Sequence, residues 1–305
     1  MLLASNASIE GDPTTESVYQ SIAARMATLL DLTTMPTESH LEQEINRRVW
    51  WSIITSDTWS SAIHSLPRLL KPRDTVPLPM AESQFALLDY NSPPPQDSPM
   101  HATPHISGDP QSLLAQLIRL NLLLYDIIVL NVRVVAEQSQ SASSLRLDHN
   151  LTYALDEWVN SLPKSLQYSR ENVARWVKAG LGFMFIIMHI NYNHAGQLLF
   201  YQYLHSAQDT EPKAPETVKS LAMKCKQHAT NLCDLIYEAK HCQETVILYP
   251  LAAHILCLAS TAQIHTLLFE VDESEICAAK IRLERNFEII SSMNEYWPTA
   301  HKTII

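Results

Sequence analysis

The chain has 305 residues, 46% of them hydrophobic, which is enough to bury a sizeable core and excludes disorder of the whole chain. Its formal net charge is −10, and its Lys and Arg are scattered, so no basic stripe of the kind that neutralises nucleic-acid phosphates is visible. Only 5 glycines are present, too few for the tight turns of an all-β fold, and none sits in a GxxxxGK or GxGxxG phosphate loop. Abundant Leu, Ala, Gln and Glu, with no alternating strand pattern and no internal repeat, predict an all-α fold: an irregular multi-helix bundle.

In chain order, residues 1–15 read as a flexible tail, followed by a single helical domain over 16–305. Val18, Ile22, Met26 and Leu29/Leu30 recur at helical spacing and predict a helix over 16–31. Ser39-His40-Leu41-Glu42 is an S-x-x-E capping box, so the next helix starts there and runs to about His64, with Ser65-Leu66-Pro67 closing it. Within it "RRVWWSIITSD" places Trp50, Ile53, Ile54 and Asp57 on neighbouring rows, flanked by Arg47, Arg48 and Trp51. The tryptophan pair favours burial, and an adjacent Arg can stack on an indole. Asp57 among apolar residues requires a buried cation or a backbone donor, and Arg48 is too far along the same helix to be that partner.

Residues 71–110 hold 9 of the 17 prolines, including Pro93-Pro94-Pro95, and predict an extended or disordered connection across a surface. Asp109-Pro110 supplies an N-cap and first position for a long helix to about Gln138. In that helix Arg119, Asp126 and Arg133 recur every seven residues inside an apolar run. They form either a solvated seam or the polar lining of a pocket, in which His189 and Tyr192 are further candidates. The segment 147–163 is amphipathic and stops at Pro163. Helices follow at about 170–207, 215–240, 244–270 (kinked or begun at Pro250) and 274–296, the last opened by an Asp272-to-Glu275 cap.

The segments Ala179–Gln208 and Thr245–Phe269 contain no Asp, Glu, Lys or Arg. Their His, Asn and Gln, and a longest strictly apolar stretch of only Phe183–Met188, predict buried bundle helices rather than membrane spans. Five cysteines, all in the last third and without a C-x-x-C, fit neither a zinc ribbon nor a redox pair and predict reduced thiols in an intracellular protein. The thirteen histidines show no H-E-x-x-H spacing, and neither a D-D-x-x-D cluster nor a G-x-S-x-G elbow occurs. No catalytic or metal-ligating set is therefore expected.

The ordered set "AARMATLLDL", "RRVWWSIITSD", "DTVPLP", "LDEWVNSLP", "CKQHATNLCDLI" and "YWPTA" resembles the regulatory domain of fungal-specific transcription factors, the middle homology region found downstream of a six-cysteine binuclear zinc cluster. Its signature positions here are Arg47, Arg48, Trp50, Trp51, Asp57, Pro67, Pro77, Pro79, Trp158 and Pro163. The family's Gly-Arg-Pro turn is replaced by Ser65-Leu66-Pro67. The resemblance implies a nuclear, non-catalytic domain that answers to a small-molecule effector or a protein co-regulator and can act as a homodimer, while a separate zinc module reads DNA. No direct nucleic-acid contact, no membrane and no cofactor are expected of this chain itself. No cysteine precedes Cys225, so the zinc cluster is absent from the sequence and an N-terminal truncation is expected, leaving Val18 and Ile22 underpacked. The alternatives are a self-contained helical protein that binds a small molecule or dimerises, and, less well supported, an α-helical enzyme.

Overall fold

A computed structural model describes residues 1–64, 66–92, 108–138, 148–206, 216–243, 249 and 251–293. Among these residues the chain forms helices and no strand, and it divides into two compact units. The first comprises Met1–Tyr125 with Leu162–Gln167, and the second Asp126–Ser161 with Tyr168–Ile305. The composition alone predicts one continuous domain from residue 16.

The first unit opens with a helix hairpin. Residues 1–15 are not a loose tail: α1 (Leu2–Glu10) buries Ala4 and Ala7, and Gly11 ends it at φ 73°. This left-handed position suits glycine because no Cβ crowds the following carbonyl. Asp12 then caps α2 (Pro13–Leu29), accepting from the Thr15 amide at 3.0 Å, with Pro13 in the first turn where its missing N–H costs nothing. The buried face of α2 is made of small and polar residues, Ala24, Ala27 and Gln20. Val18 and Ile22, each 53% exposed, lie on its other face with Met26 and Leu29.

α3 (His40–His64) starts as the capping box dictates: the Glu42 amide donates to Ser39 Oγ at 3.2 Å. The reciprocal bond is displaced by one residue, because Glu42 accepts from the Glu38 amide rather than from Ser39. Trp50, Trp51, Ile53 and Ile54 are all buried and form a core with Ala24, Ala27, Val76, Leu78, Ala115 and Ile118.

That core corrects the reading of 71–110 as a surface connection. Val76, Leu78, Pro79 and Ala81 are buried, and the short α4 (Glu82–Phe85) follows them. Gly108 lies so close to Leu78 that an added Cβ would come within 2.6 Å of its Cβ. The Pro93–Pro95 run lies outside the described residues. α5 (Leu113–Gln138) begins three residues later than Asp109-Pro110 suggested. Ser112 caps it by accepting from the Ala115 amide at 3.1 Å, and Glu82 accepts from the amides of Leu113 (2.9 Å) and Leu114 (3.0 Å). A carboxylate there meets two N–H groups left unpaired by helix geometry and the positive end of the helix dipole. The boundary between the two units falls within α5, after Tyr125.

The second unit contains α6 (His149–Ser161), α7 (Arg170–Lys178), α8 (Gly182–Phe200), α9 (Gln202–Ser206), α10 (Glu216–Gln243), α11 (Ala252–Phe269) and α12 (Glu273–Met293). The expected single helix over 170–207 is broken twice. α7 ends in a turn in which Gly180 takes φ 74° and the Leu181 amide donates to the Trp176 carbonyl at 2.8 Å. Gly182 then opens α8 against Val177, where a Cβ would approach the Val177 side chain to 2.5 Å. At Tyr201 the chain turns again into α9.

α8 packs on α10, α10 on α11 and α11 on α12. Because α8 is buried on nearly every face, its lack of charge follows from packing. Among the described residues two helical stretches are long and apolar enough to cross a bilayer, Leu113–Ala136 and Ala252–Phe269, and 44% of each is buried inside the chain. Pro250 and the final "YWPTA" lie outside the described residues.

Candidate functional site

In the first unit the arginine–tryptophan block builds a clasp. Glu44 is fully buried and accepts from Arg47 (2.6 Å), Arg48 (3.0 Å) and the Met80 amide (3.0 Å). Arg48 also donates to the Met80 carbonyl and lies 4.0 Å from the centre of the Phe85 ring. Trp51 Nε1 donates to the Pro77 carbonyl at 2.9 Å. The guanidinium over the Trp50 indole, at 5.0 Å, belongs to Arg73 rather than to the neighbouring Arg47 or Arg48, and Arg73 is itself held by Asp31 at 2.8 Å.

Asp57 meets backbone donors, the amides of Leu69 (2.9 Å) and Leu70 (3.0 Å). Pro67 is exposed in the turn between Asp57 and these amides, while Arg68 donates to Thr58 and covers the Tyr125 ring at 4.0 Å. Glu44, Arg48, Trp51 and Asp57 are thus directed at the segment 66–85, and the arginines are committed within the chain. Glu44, which carries the clasp, is invisible in the sequence pattern except as an acid one turn before Arg48.

None of the stripe residues Arg119, Asp126 and Arg133 lines the cavity described below. Arg119 is half-buried, and its burial lowers the guanidinium pKa, whereas Asp126 and Arg133 are exposed. His189 is buried in an aromatic nest, edge-on to Phe185 at 4.8 Å and to Tyr168 at 5.3 Å. Tyr192 stacks on Trp158 at 5.5 Å, and burial raises its phenol pKa, with Asp156 adding to the effect. Pro163 accepts from the Leu166 amide at 2.8 Å, which forms the turn after α6.

Between α8, α10, α11 and α12 lies an uncharged polar network. Asn193 Oδ1 lies 3.2 Å from His228 Nδ1, and Asn193 donates to the His189 carbonyl. Gln197 donates to the Leu258 carbonyl at 2.6 Å, and Asn286 donates to Ser260 at 3.0 Å and to Cys233 Sγ at 3.2 Å. Burial pushes His194 down to about 3, helped by His254, and His228 down to about 4, so both rings are neutral at physiological pH. Gly196 allows the His228 ring to lie against α8, since a Cβ there would fall 2.4 Å from Nε2.

The buried thiols of Cys225 and Cys233 are pushed up to about 12 and about 11, which keeps them protonated. Among the described residues no three His, Cys, Asp or Glu side chains converge as a metal set.

A cavity of about 480 Å³ opens in the second unit, with walls from three helices. α7 contributes Val173, Ala174 and Val177, α8 contributes Ile186, and α10 contributes Leu235 and Ala239. Its polar groups are Tyr168, Arg170, Tyr237 and Glu238. Tyr168 donates to Glu238 at 3.2 Å, and the Arg285 guanidinium lies 4.1 Å from the centre of the Tyr237 ring. The size and the mostly apolar lining are those of a small-molecule site. Sequence reasoning missed all ten residues. They are ordinary amphipathic-helix positions on separate elements, and the one local signal near them is the Gly180–Gly182 turn that folds α7 against α8.

The chain belongs to the fungal-specific transcription factor domain family, whose sequence profile matches residues 4–171, more than half of its length. It is a regulatory domain of a fungal transcription factor.

Over 86% of its length it is 25% identical to the Zn(2)-C6 fungal-type transcription factor FTF1c of Fusarium oxysporum f. sp. lycopersici. Over the same share it is 24% identical to the transcriptional regulatory protein C530.11c of Schizosaccharomyces pombe. The matches cover 29% and 35% of those proteins, so the chain spans about a third of the length of these relatives. No solved structure matches.

Proposed function

We propose that this chain is the effector- or partner-responsive part of a nuclear zinc-cluster transcription factor, non-catalytic itself, in which a separate module reads DNA. The observation that carries this reading is the family match over residues 4–171 together with relatives that are transcriptional regulators. Charge supports the division of labour: at a net −10, with Arg47, Arg48, Arg68 and Arg73 engaged in internal contacts, the first unit has little cationic surface to offer phosphates.

Fusing residues 1–305 to a heterologous DNA-binding module in front of a reporter tests the proposal. The fusion should change reporter output relative to the DNA-binding module alone, and the isolated chain should not shift duplex DNA at physiological salt. A fusion with no effect on the reporter, or tight DNA binding by the chain alone, would overturn the reading.

A further inference from the structure

From the cavity between α7, α8 and α10 we infer a binding site for an uncharged, chiefly apolar small molecule ending in a hydroxyl or primary amide, which serves as the effector site of the domain. The regulatory half of this statement rests on the function proposed above, whereas the binding half stands on geometry. Six of the ten lining residues are aliphatic (Val173, Ala174, Val177, Ile186, Leu235 and Ala239), so the body of the ligand must be apolar to gain from leaving water.

The polar groups choose its end. Arg170 and Glu238 have opposite charges and both line the cavity. A carboxylate facing Arg170 would be opposed by Glu238, and an ammonium facing Glu238 would be opposed by Arg170. A hydroxyl or primary amide avoids both penalties, because it accepts from the guanidinium and donates to the carboxylate. Arg170 is exposed at the rim, and the Tyr168 hydroxyl already steadies Glu238 at 3.2 Å. Charged end groups would also carry a larger desolvation cost into the apolar walls.

Three probes with one body separate these cases: 4-phenylbutan-1-ol, 4-phenylbutyrate and 4-phenylbutylamine, titrated calorimetrically into the full 305-residue chain. The alcohol should bind saturably and at least tenfold more tightly than either ion. Ala174→Trp, an exposed wall position whose new ring fills the space, should weaken the alcohol at least tenfold. Val173→Phe serves as a second filling variant if the first unfolds. Absence of saturable binding, binding indifferent to both variants, or tightest binding by either ion would overturn the site as stated. In the reporter fusion, Ala174→Trp should abolish the response to the alcohol. A fusion that is active but insensitive to the alcohol and to the variant overturns the effector role alone, and an inactive fusion overturns the proposed function while leaving the calorimetric result in place.

Discussion

The two units solve the burial of polar groups in opposite ways. The first uses acidic side chains: Glu44 and Asp57, both nearly inaccessible, accept from arginines and from the backbone amides of Met80, Leu69 and Leu70. The second uses neutral ones, with amides, imidazoles and hydroxyls linking helix to helix. The difference follows from what each must hold. An irregular segment such as 66–85 brings unpaired N–H groups into the core, and a carboxylate satisfies several at once. Packed helices arrive with their backbone groups already paired, so only side chains need partners and no charge has to be desolvated.

Acid distinguishes the units most strongly. His194 and His228 sit at about 3 and about 4 when folded, against about 6.5 in an unfolded chain. Because their folded pKa values are depressed, the unfolded chain binds more protons as pH falls below 6.5. Stability is then full above that value and is lost on acidification towards the folded pKa values. Between pH 7 and pH 5 the two rings together should remove roughly 4 kcal/mol from the second unit, measurable by urea unfolding across that range. His194→Leu should flatten the slope.

The converse test strikes the first unit. Glu44→Ala leaves Arg47, Arg48 and the Met80 amide without their acceptor and should cost about 3 kcal/mol in chemical denaturation, with hydrogen exchange quickening at residues 76–82. A loss below about 1 kcal/mol would refute the clasp. In the second unit, Gly196→Ala drives a Cβ into the His228 ring and should cost about 2 kcal/mol. Adding His228→Ala should recover part of that loss, a non-additivity expected only if the two groups touch. The smallest effect is Ser39→Ala, which removes the cap of α3 for about 1 kcal/mol by thermal unfolding.

Legibility in the sequence followed the range of the forces involved. Local signals placed α3, α6 and α12: the Ser39 cap, the stop at Pro163, and Asp272, which accepts from the Ser274 amide at 2.8 Å. The burial of Trp50, Trp51, Ile53 and Ile54 followed from helical phase, and the cost of a buried charge required a cation or a backbone donor at Asp57, of which the fold supplies the donor. Long-range choices were hidden. Proline density concealed that Val76 and Leu78 belong to the core, and seven-residue spacing alone could not tell that Asp126 and Arg133 face solvent. The cavity was hidden for the same reason, since its walls are apolar positions that any amphipathic helix would carry.

Glu82 shows what such a long-range choice does to the chain as a continuous thread. Its carboxylate starts a helix that begins 31 residues further along, and it is held in place by the neighbouring Met80, which Glu44 and Arg48 grip. The stretch between α3 and α5 is therefore spliced into the fold at both ends. A protease nick or an inserted tag between residues 76 and 82 should unravel the first turn of α5 as well as loosen the nearby loop, although the composition there is that of a linker built to be cut.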